Sequence, residues 1–239
     1  MISWLKKQKD DEIVGIVIHP AGKQKCSDKI VTESGLTENE VFFADTLWDD
    51  NIITRIRNLN PDIAVSVYFG YILKQKFIDI FPRGCINLHP AYLPYNRGAN
   101  PNIWSIIDGT PAGVTLHYVN EKIDSGDIIA QKPVQVTVYD TGYSLYKKLE
   151  RMSISLFKEI WPKIRSREIH SIPQKCDEGT YHRVADIRKI DEIELDRLYK
   201  AGDLINILRA RTFPPHKGAF FYENGKRIYL RIEITPESR

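Results

Sequence analysis

Short Val- and Ile-rich runs that alternate with stretches of helical spacing constrain this chain more than any other feature. The runs occupy residues 12–18, 62–69, 85–88 and 113–119. Their apolar character is continuous rather than alternating, which suits strands covered on both faces. Between them, residues 49–59, 74–80 and 102–108 place apolar side chains every three or four positions. Strands alternating with helices predict an α/β fold with a mostly parallel sheet. Two short β segments are expected next, at 128–131 and 134–138. Asp140-Thr141-Gly142 then opens a long amphipathic helix carrying Leu145, Leu149, Met152, Leu156, Ile160 and Ile164,. Beyond about residue 165 the chain turns polar and proline-interrupted. One helix near 203–210 and a hairpin of 219–222 with 227–232, turning at Asn224-Gly225, are expected there. The organisation read from this pattern is a catalytic domain over 1–165 and a C-terminal extension over 166–239.

Composition excludes several classes. With 42% apolar and 27% charged residues in 239, the chain is neither disordered nor fibrous. The 34 Lys and Arg against 31 Asp and Glu give +3, too weak a bias to mark a nucleic-acid or membrane surface. Cys26, Cys85 and Cys176 lack the close spacing of zinc or disulfide frameworks and read as reduced, so no metal is expected. No run approaches the roughly 20 apolar residues that span a bilayer. Lys6, Lys7, Lys9, Asp10 and Asp11 stand where a secretion signal would be apolar, so a cytoplasmic location is expected.

The chemistry concentrates in residues 87–98, Asn-Leu-His-Pro-Ala-Tyr-Leu-Pro-Tyr-Asn-Arg-Gly. Asn87 and His89 flank Leu88, so on a strand they share one face. Ligands in open α/β sheets bind at the C-terminal ends of strands. Pro90, Pro94 and Gly98 then enforce an irregular loop that holds Tyr95 and Arg97 above the strand. A single histidine there is more often a hydrogen-bonded core residue. The second cluster, Gly113 to Val119 followed by Asn120-Glu121-Lys122-Ile123-Asp124-Ser125-Gly126-Asp127, changes that balance by supplying a carboxylate on the loop after the next strand. His117 reads as packing inside and is left out of the candidate triad.

The strings YFGYIL, INLHPAYLPYNRGANPNIW and GVTLHYVNEKIDSGDII, in this order, resemble the folate-dependent formyltransferases over about residues 62–163. The resemblance implies a Rossmann-like formyltransferase fold, 10-formyltetrahydrofolate as donor and a triad of Asn87, His89 and Asp124. In it Asn87 holds the developing oxyanion, His89 moves the proton and Asp124 orients His89. It also implies that the pterin of the folate lies between the backbone of Tyr71, Ile72 and Leu73 and that of Asn120, Glu121, Lys122, Ile123 and Asp124. An apolar strand should precede the run at 12–18. The sequence opens instead on Met1-Ile2-Ser3-Trp4-Leu5, which reads as the first helix, so that first strand is expected to be missing.

Within the family, the stretch 166–239 is short for the added barrel of a tRNA formyltransferase and unbiased in charge. It is longer than a ribonucleotide formyltransferase needs. The tail most resembles that of the nucleotide-sugar N-formyltransferases, which implies a homodimer through the C-terminal hairpin. It also implies a nucleotide-linked amino sugar as acceptor, dTDP-4-amino-4,6-dideoxyglucose for O-antigen synthesis. Tyr95, Arg97, Arg209, Arg211 and Tyr222 are the acceptor candidates: guanidinium groups suit a diphosphate and an aromatic ring suits a pyrimidine. Phe221, Lys74 and Lys76 read first as hairpin and helix surface. A formyltetrahydrofolate hydrolase and a catalytically inactive folate or nucleotide-sugar binding protein are the alternatives.

Overall fold

Why the short runs become strands is visible in what covers them. The computed structural model describes residues 1–20, 22–23 and 26–237. The chain divides into two compact units, Met1–Asn87 with Tyr118–Lys122, and Leu88–His117 with Ile123–Arg239.

The first unit runs α1 (Ile2–Leu5), β1 (Ile16–Ile18), α2 (Ser27–Ser34), β2 (Val41–Phe43), α3 (Asp50–Asn58), β3 (Ala64–Val67), α4 (Gln75–Ile78) and the start of β4 (Cys85–His89). Strand β1 pairs in parallel with β2, Ile16 opposite Val41 and Ile18 opposite Phe43, while β3 lies beside β4. Helix α3 begins where Asp49 accepts a hydrogen bond from the Asn51 amide at 2.7 Å, satisfying one of the donors a helix start leaves open. Its Ile53 and Ile56 pack with Phe42, Leu47, Phe77 and Phe81. Burying each such side chain contributes about 1.5–3 kcal/mol.

The second unit takes the end of β4 through β5 (Arg97–Gly98), α5 (Pro101–Ile107), β6 (Gly113–Tyr118), β7 (Ile128–Pro133), α6 (Gly142–Arg165), β8 (Tyr181–His182), α7 (Arg188–Asp191), α8 (Ala201–Arg211), β9 (Phe220–Glu223) and β10 (Lys226–Tyr229). Strand β6 sits between β4 and β7 and pairs antiparallel with β7, with a register shift between Leu116 and His117. The long helix α6 starts at a capping box in which Thr141 and Ser144 satisfy each other's amides,. It buries Leu145, Leu149, Leu156, Ile160 and Ile164, with Phe157 and Trp161 filling the stripe.

Several expectations change. Residues 134–138 form no strand. Pairing with the β6 side ends one residue past Pro133, where the Val134 amide donates to the Ala112 carbonyl at 2.8 Å, and Thr137 donates its amide to Asp140 Oδ2 at 2.7 Å in the turn before α6. Only Ile16–Ile18 of the 12–18 run is extended in a ladder. Residues 166–239 lie in the second unit. Arg209, only 9% exposed, donates to the Thr137 and Asp140 carbonyls at 3.0 Å each and to Asn206 Oδ1 at 2.8 Å. That arrangement ties α8 to the start of α6. The hairpin turns at Asn224-Gly225 with φ of 49° and 75°, the positive values a two-residue turn demands.

Candidate active site

His89 ends β4 and His117 lies near the end of β6, so two imidazoles reach the same rim of the second unit. Their rings lie 6.3 Å apart and nearly perpendicular, and both are buried, at 6% and 2% exposure. Asp124 follows on the loop after β6, in a left-handed conformation with φ 48°. That turn swings its carboxylate between the two rings. Oδ2 stands 3.6 Å from His89 Nδ1 and Oδ1 stands 3.7 Å from His117 Nε2. The Gly98 amide donates to Oδ2 at 2.9 Å. The other side of His89 is also fixed, Nε2 lying 3.3 Å from the Asn96 carbonyl.

Gly98 is held to glycine twice over. Its φ is 89°, and a Cβ there would come within 2.3 Å of the His182 carbonyl oxygen,. Strand β5 needs that close approach because it pairs with β8, Arg97 opposite Tyr181 and Gly98 opposite His182.

The electrostatics follow from burial and charge. Burial alone would raise the Asp124 carboxyl. The charge of His89, the hydrogen bond from His117 and the Gly98 amide outweigh it, and the carboxyl is lowered to about 2. For His89, burial dominates and lowers the imidazole below its usual 6.5, with His117 adding to the effect against the pull of Asp124 and of the Asn96 carbonyl,. At neutral pH the pair is therefore a carboxylate beside a neutral imidazole, a proton acceptor with its counterion in place.

The sign of the pH dependence is fixed by that shift. Unfolded His89 takes up its proton near 6.5 and folded His89 does so at lower pH. Stability is thus fully present above 6.5 and is lost as pH falls from there through the folded value. An NMR titration of the His89 ring is expected to have its midpoint below 6.5. Asp124→Asn moves it lower still and His117→Gln moves it higher. A midpoint above 6.5 would contradict this balance.

The remaining candidates divide sharply. Asn87, half-buried, lies two residues before His89 on the same strand. Tyr71 joins His19 and Phe69 in an aromatic cluster with ring centroids 5.4–5.7 Å apart. Ile72 and Leu73 line a cleft of about 380 Å³ in the first unit together with Lys74, Gln75, Lys76 and Glu121. Asn120, exposed, accepts the Lys122 amide on its side-chain oxygen at 3.0 Å, and Ile123 is exposed. Lys74 lies over the Trp48 ring and Lys76 pairs with Asp50.

Tyr95, half-buried, precedes Asn96. Arg97 donates Nη2 to the Cys176 carbonyl at 3.0 Å, while its buried Nε has no hydrogen-bond partner. Three acceptor candidates have partners within the chain. Arg209 is a structural tie between helices, as above. Arg211 is paired with Asp191, and the Tyr222 hydroxyl accepts from Arg227 Nε at 3.0 Å. Those two groups are thus occupied by neighbours within the chain. His117, set aside in the sequence, meets the carboxylate directly. Its position at an alternate residue from Thr115 on β6 was the available signal, but the bulge after Leu116 resets which face it takes,.

Residues 2–160 match the family described as formyl transferase. The chain belongs to the formyl transferase family. Residues 186–236 match the N-formyltransferase dimerization C-terminal domain. A methionyl-tRNA formyltransferase of Borreliella burgdorferi (strain ZS7) is 36% identical over 175 residues, 71% of this chain and 56% of the relative. The chain thus spans about half the length of that relative. The dTDP-4-amino-4,6-dideoxyglucose formyltransferase of Mycobacterium tuberculosis (strain ATCC 25618 / H37Rv) is 32% identical over 175 residues, 72% of this chain and 74% of the relative. Among solved structures, a 4-N formyltransferase from Francisella tularensis superposes with TM-score 0.80 at 28% identity, covering 93% of this chain and 87% of that one. The formyltransferase PseJ from Anoxybacillus kamchatkensis was solved in complex with UDP-4,6-dideoxy-4-formamido-L-AltNAc and tetrahydrofolate. It is 32% identical with TM-score 0.55, over 78% of this chain and 92% of that one. The formyltransferase fold expected from the sequence is therefore present. Among the described residues no group of His, Cys, Asp and Glu could hold a metal ion, and no helix is long and apolar enough to cross a membrane.

Proposed function

We propose that this chain transfers the formyl group of 10-formyltetrahydrofolate to the amine of a nucleotide-linked amino sugar. The observation that carries the reading is the buried Asp124 carboxylate, held ionised between two imidazoles with the Gly98 amide on the same oxygen that faces His89. As the acceptor nitrogen adds to the formyl carbon, its proton must leave and negative charge gathers on the formyl oxygen. His89, neutral at working pH, takes that proton, and Asp124 stabilises the imidazolium so formed. His89 then returns the proton to N10 of the folate as the old carbon–nitrogen bond breaks. Asn87 donates its side-chain amide to the oxyanion, a contact whose loss costs about 2.7–4 kcal/mol elsewhere. The products are tetrahydrofolate and a formamide, with no change of oxidation state and no covalent enzyme intermediate.

For the folate, the cleft beside Ile72, Leu73 and Glu121 offers apolar walls and backbone edges, the chemistry a pterin ring uses,. For the acceptor, Arg97 keeps a buried Nε–H without a partner, next in the chain to the His89-bound Asn96, a fitting donor for a phosphate oxygen, with Tyr95 two residues before it. The M. tuberculosis relative supports dTDP-4-amino-4,6-dideoxyglucose as the sugar, in the service of a surface polysaccharide such as O-antigen. The match over 186–236 supports a homodimer. The exposed Tyr222, Ile228 and Tyr229 of the β9–β10 hairpin are the surface we assign to it, and the enzyme would work in the cytoplasm. A tRNA acceptor is the second reading, favoured by the 36% identity to the Borreliella relative. The net charge of only +3 disfavours it,.

The test follows release of tetrahydrofolate while dTDP-, UDP- and GDP-linked amino sugars and charged initiator tRNA are supplied in turn. Turnover with one of the sugar nucleotides and none with tRNA is expected. Formylation of tRNA alone would overturn the acceptor. Formate release without any amine would make the chain a hydrolase. Tight binding of both ligands without turnover would make it an inactive binding protein.

A further inference from the structure

The catalytic loop after β4 is gripped by a segment more than eighty residues later in the chain. Residues 179–182 fall between the two family matches, which end at 160 and resume at 186. Gly179 passes so close to Pro94 that a Cβ would come within 2.1 Å of its carbonyl oxygen. That approach brings the next residue, Thr180, onto Asn96. The Thr180 hydroxyl accepts the Asn96 amide at 2.8 Å and donates to Asn96 Oδ1 at 3.1 Å. Its carbonyl accepts the Arg97 amide at 3.1 Å, and the Ala99 amide reaches the His182 carbonyl at 2.9 Å.

Asn96 is fully buried and left-handed at φ 56°. Its Nδ2 donates to Ser105 Oγ at 2.9 Å and Thr110 Oγ1 at 2.8 Å. With both ends of the side chain and the amide fixed, the one remaining polar group of Asn96, its carbonyl, has a set direction, and that group lies 3.3 Å from His89 Nε2. Asn is among the side-chain-bearing residues that tolerate the left-handed region best, and these bonds hold Asn96 in it.

We propose that Thr180 is a positioning residue for His89, its hydroxyl locking Asn96 so that the Asn96 carbonyl fixes the imidazole in the orientation that proton transfer requires. This rests on the formyl-transfer reading for its kinetic consequence. The same zipper aims the Gly98 amide at Asp124, so one short C-terminal strand sets both partners of the imidazole. Supporting groups of this kind change activity by about 10–100-fold when removed around metal-bound histidines, and the same magnitude is expected here.

The charged and titratable groups facing His89 are Asp124 and His117. A change in the His89 titration on altering Thr180 therefore reports the Asn96 carbonyl together with the Gly98 amide held on Asp124. Three proteins are compared: wild type, Thr180→Val, which keeps the shape and removes both hydroxyl bonds, and Thr180→Ser, which keeps them. For Thr180→Val, kcat is expected to fall about 10–100-fold with KM for both substrates within about twofold. The His89 midpoint in NMR should move down, because the imidazolium loses its carbonyl acceptor. Thr180→Ser should restore both to near wild type. Wild-type kcat and an unmoved titration in Thr180→Val would overturn the proposal. So would a Thr180→Ser protein as impaired as Thr180→Val, since the methyl group and not the hydroxyl would then matter. A wild type that forms no formamide defeats the formyl-transfer reading, and the His89 titration still decides the role of Thr180.

Discussion

Replacing His89 by Asn is expected to lower kcat for formyl transfer by about 10²–10⁴-fold, the range a positioned general base contributes. The fold should survive, because Asn is smaller and remains polar, with its side-chain amide falling where His89 Nδ1 stood beside Asp124 Oδ2. The loss should therefore appear in kcat, with KM for folate and for the acceptor within about threefold of wild type, the signature of an interaction made in the transition state. Unchanged thermal unfolding would separate this loss from misfolding. Turnover within a factor of about three of wild type would remove His89 from the mechanism.

Asp124→Asn is expected to cost a comparable factor, about 10²–10⁴-fold in kcat, by a different route. The carboxylate is ionised down to about pH 2, so at neutral pH the substitution removes a full charge from between two imidazoles. His89 then has no counterion for the proton it accepts. Its midpoint drops, and the amine proton loses its acceptor exactly when charge separation is greatest in the transition state. An Asn oxygen still accepts from the Gly98 amide, which keeps the loop in place. The pH profiles distinguish the two variants. Wild-type kcat/KM should fall only below pH 6.5 as His89 protonates. In Asp124→Asn the acid limb moves to lower pH while the plateau drops. An unchanged plateau would show that the carboxylate serves the loop and not the proton.

The elements that position this centre were the ones legible in the sequence. The runs at 85–88 and 113–119 were continuous enough to read as buried strands. The capped stripe at Thr141 to Ile164 read as one long helix because its period is sustained over six turns. Asn87 and His89 stood out because polar residues interrupt an apolar run at a strand end, while Asp124 was distinguished from the other carboxylates after β6 by the family resemblance alone. The parts that failed to read were short or non-local. Strand β2 is three residues, Val41–Phe43, too few to show a period. The second β segment at 134–138 has the composition of a strand, but its pairing stops at Val134, and Thr137 turns to cap against Asp140.

Arg209 and Arg211 read as phosphate ligands because a helix end with two guanidinium groups suits an anion. The carbonyls of Thr137 and Asp140 and the carboxylate of Asp191 had claimed them across long stretches of chain. Thr180 and Asn96, 84 residues apart, left no mark in local pattern, since a Thr in a polar loop is unremarkable until its partner is known. Local propensity fixes elements, and the contacts that orient His89 are made by tertiary pairing alone.

One measurement tests the central claim most directly. Wild type and His89→Asn are each incubated for a single turnover with 10-formyltetrahydrofolate labelled with ¹³C in the formyl group and with dTDP-4-amino-4,6-dideoxyglucose, and the sugar nucleotide is then isolated. The account predicts the label in a formamide on the sugar nitrogen, formed by wild type and slower by about 10²–10⁴-fold in His89→Asn. Label recovered as free formate, or transferred equally fast by both proteins, would contradict it.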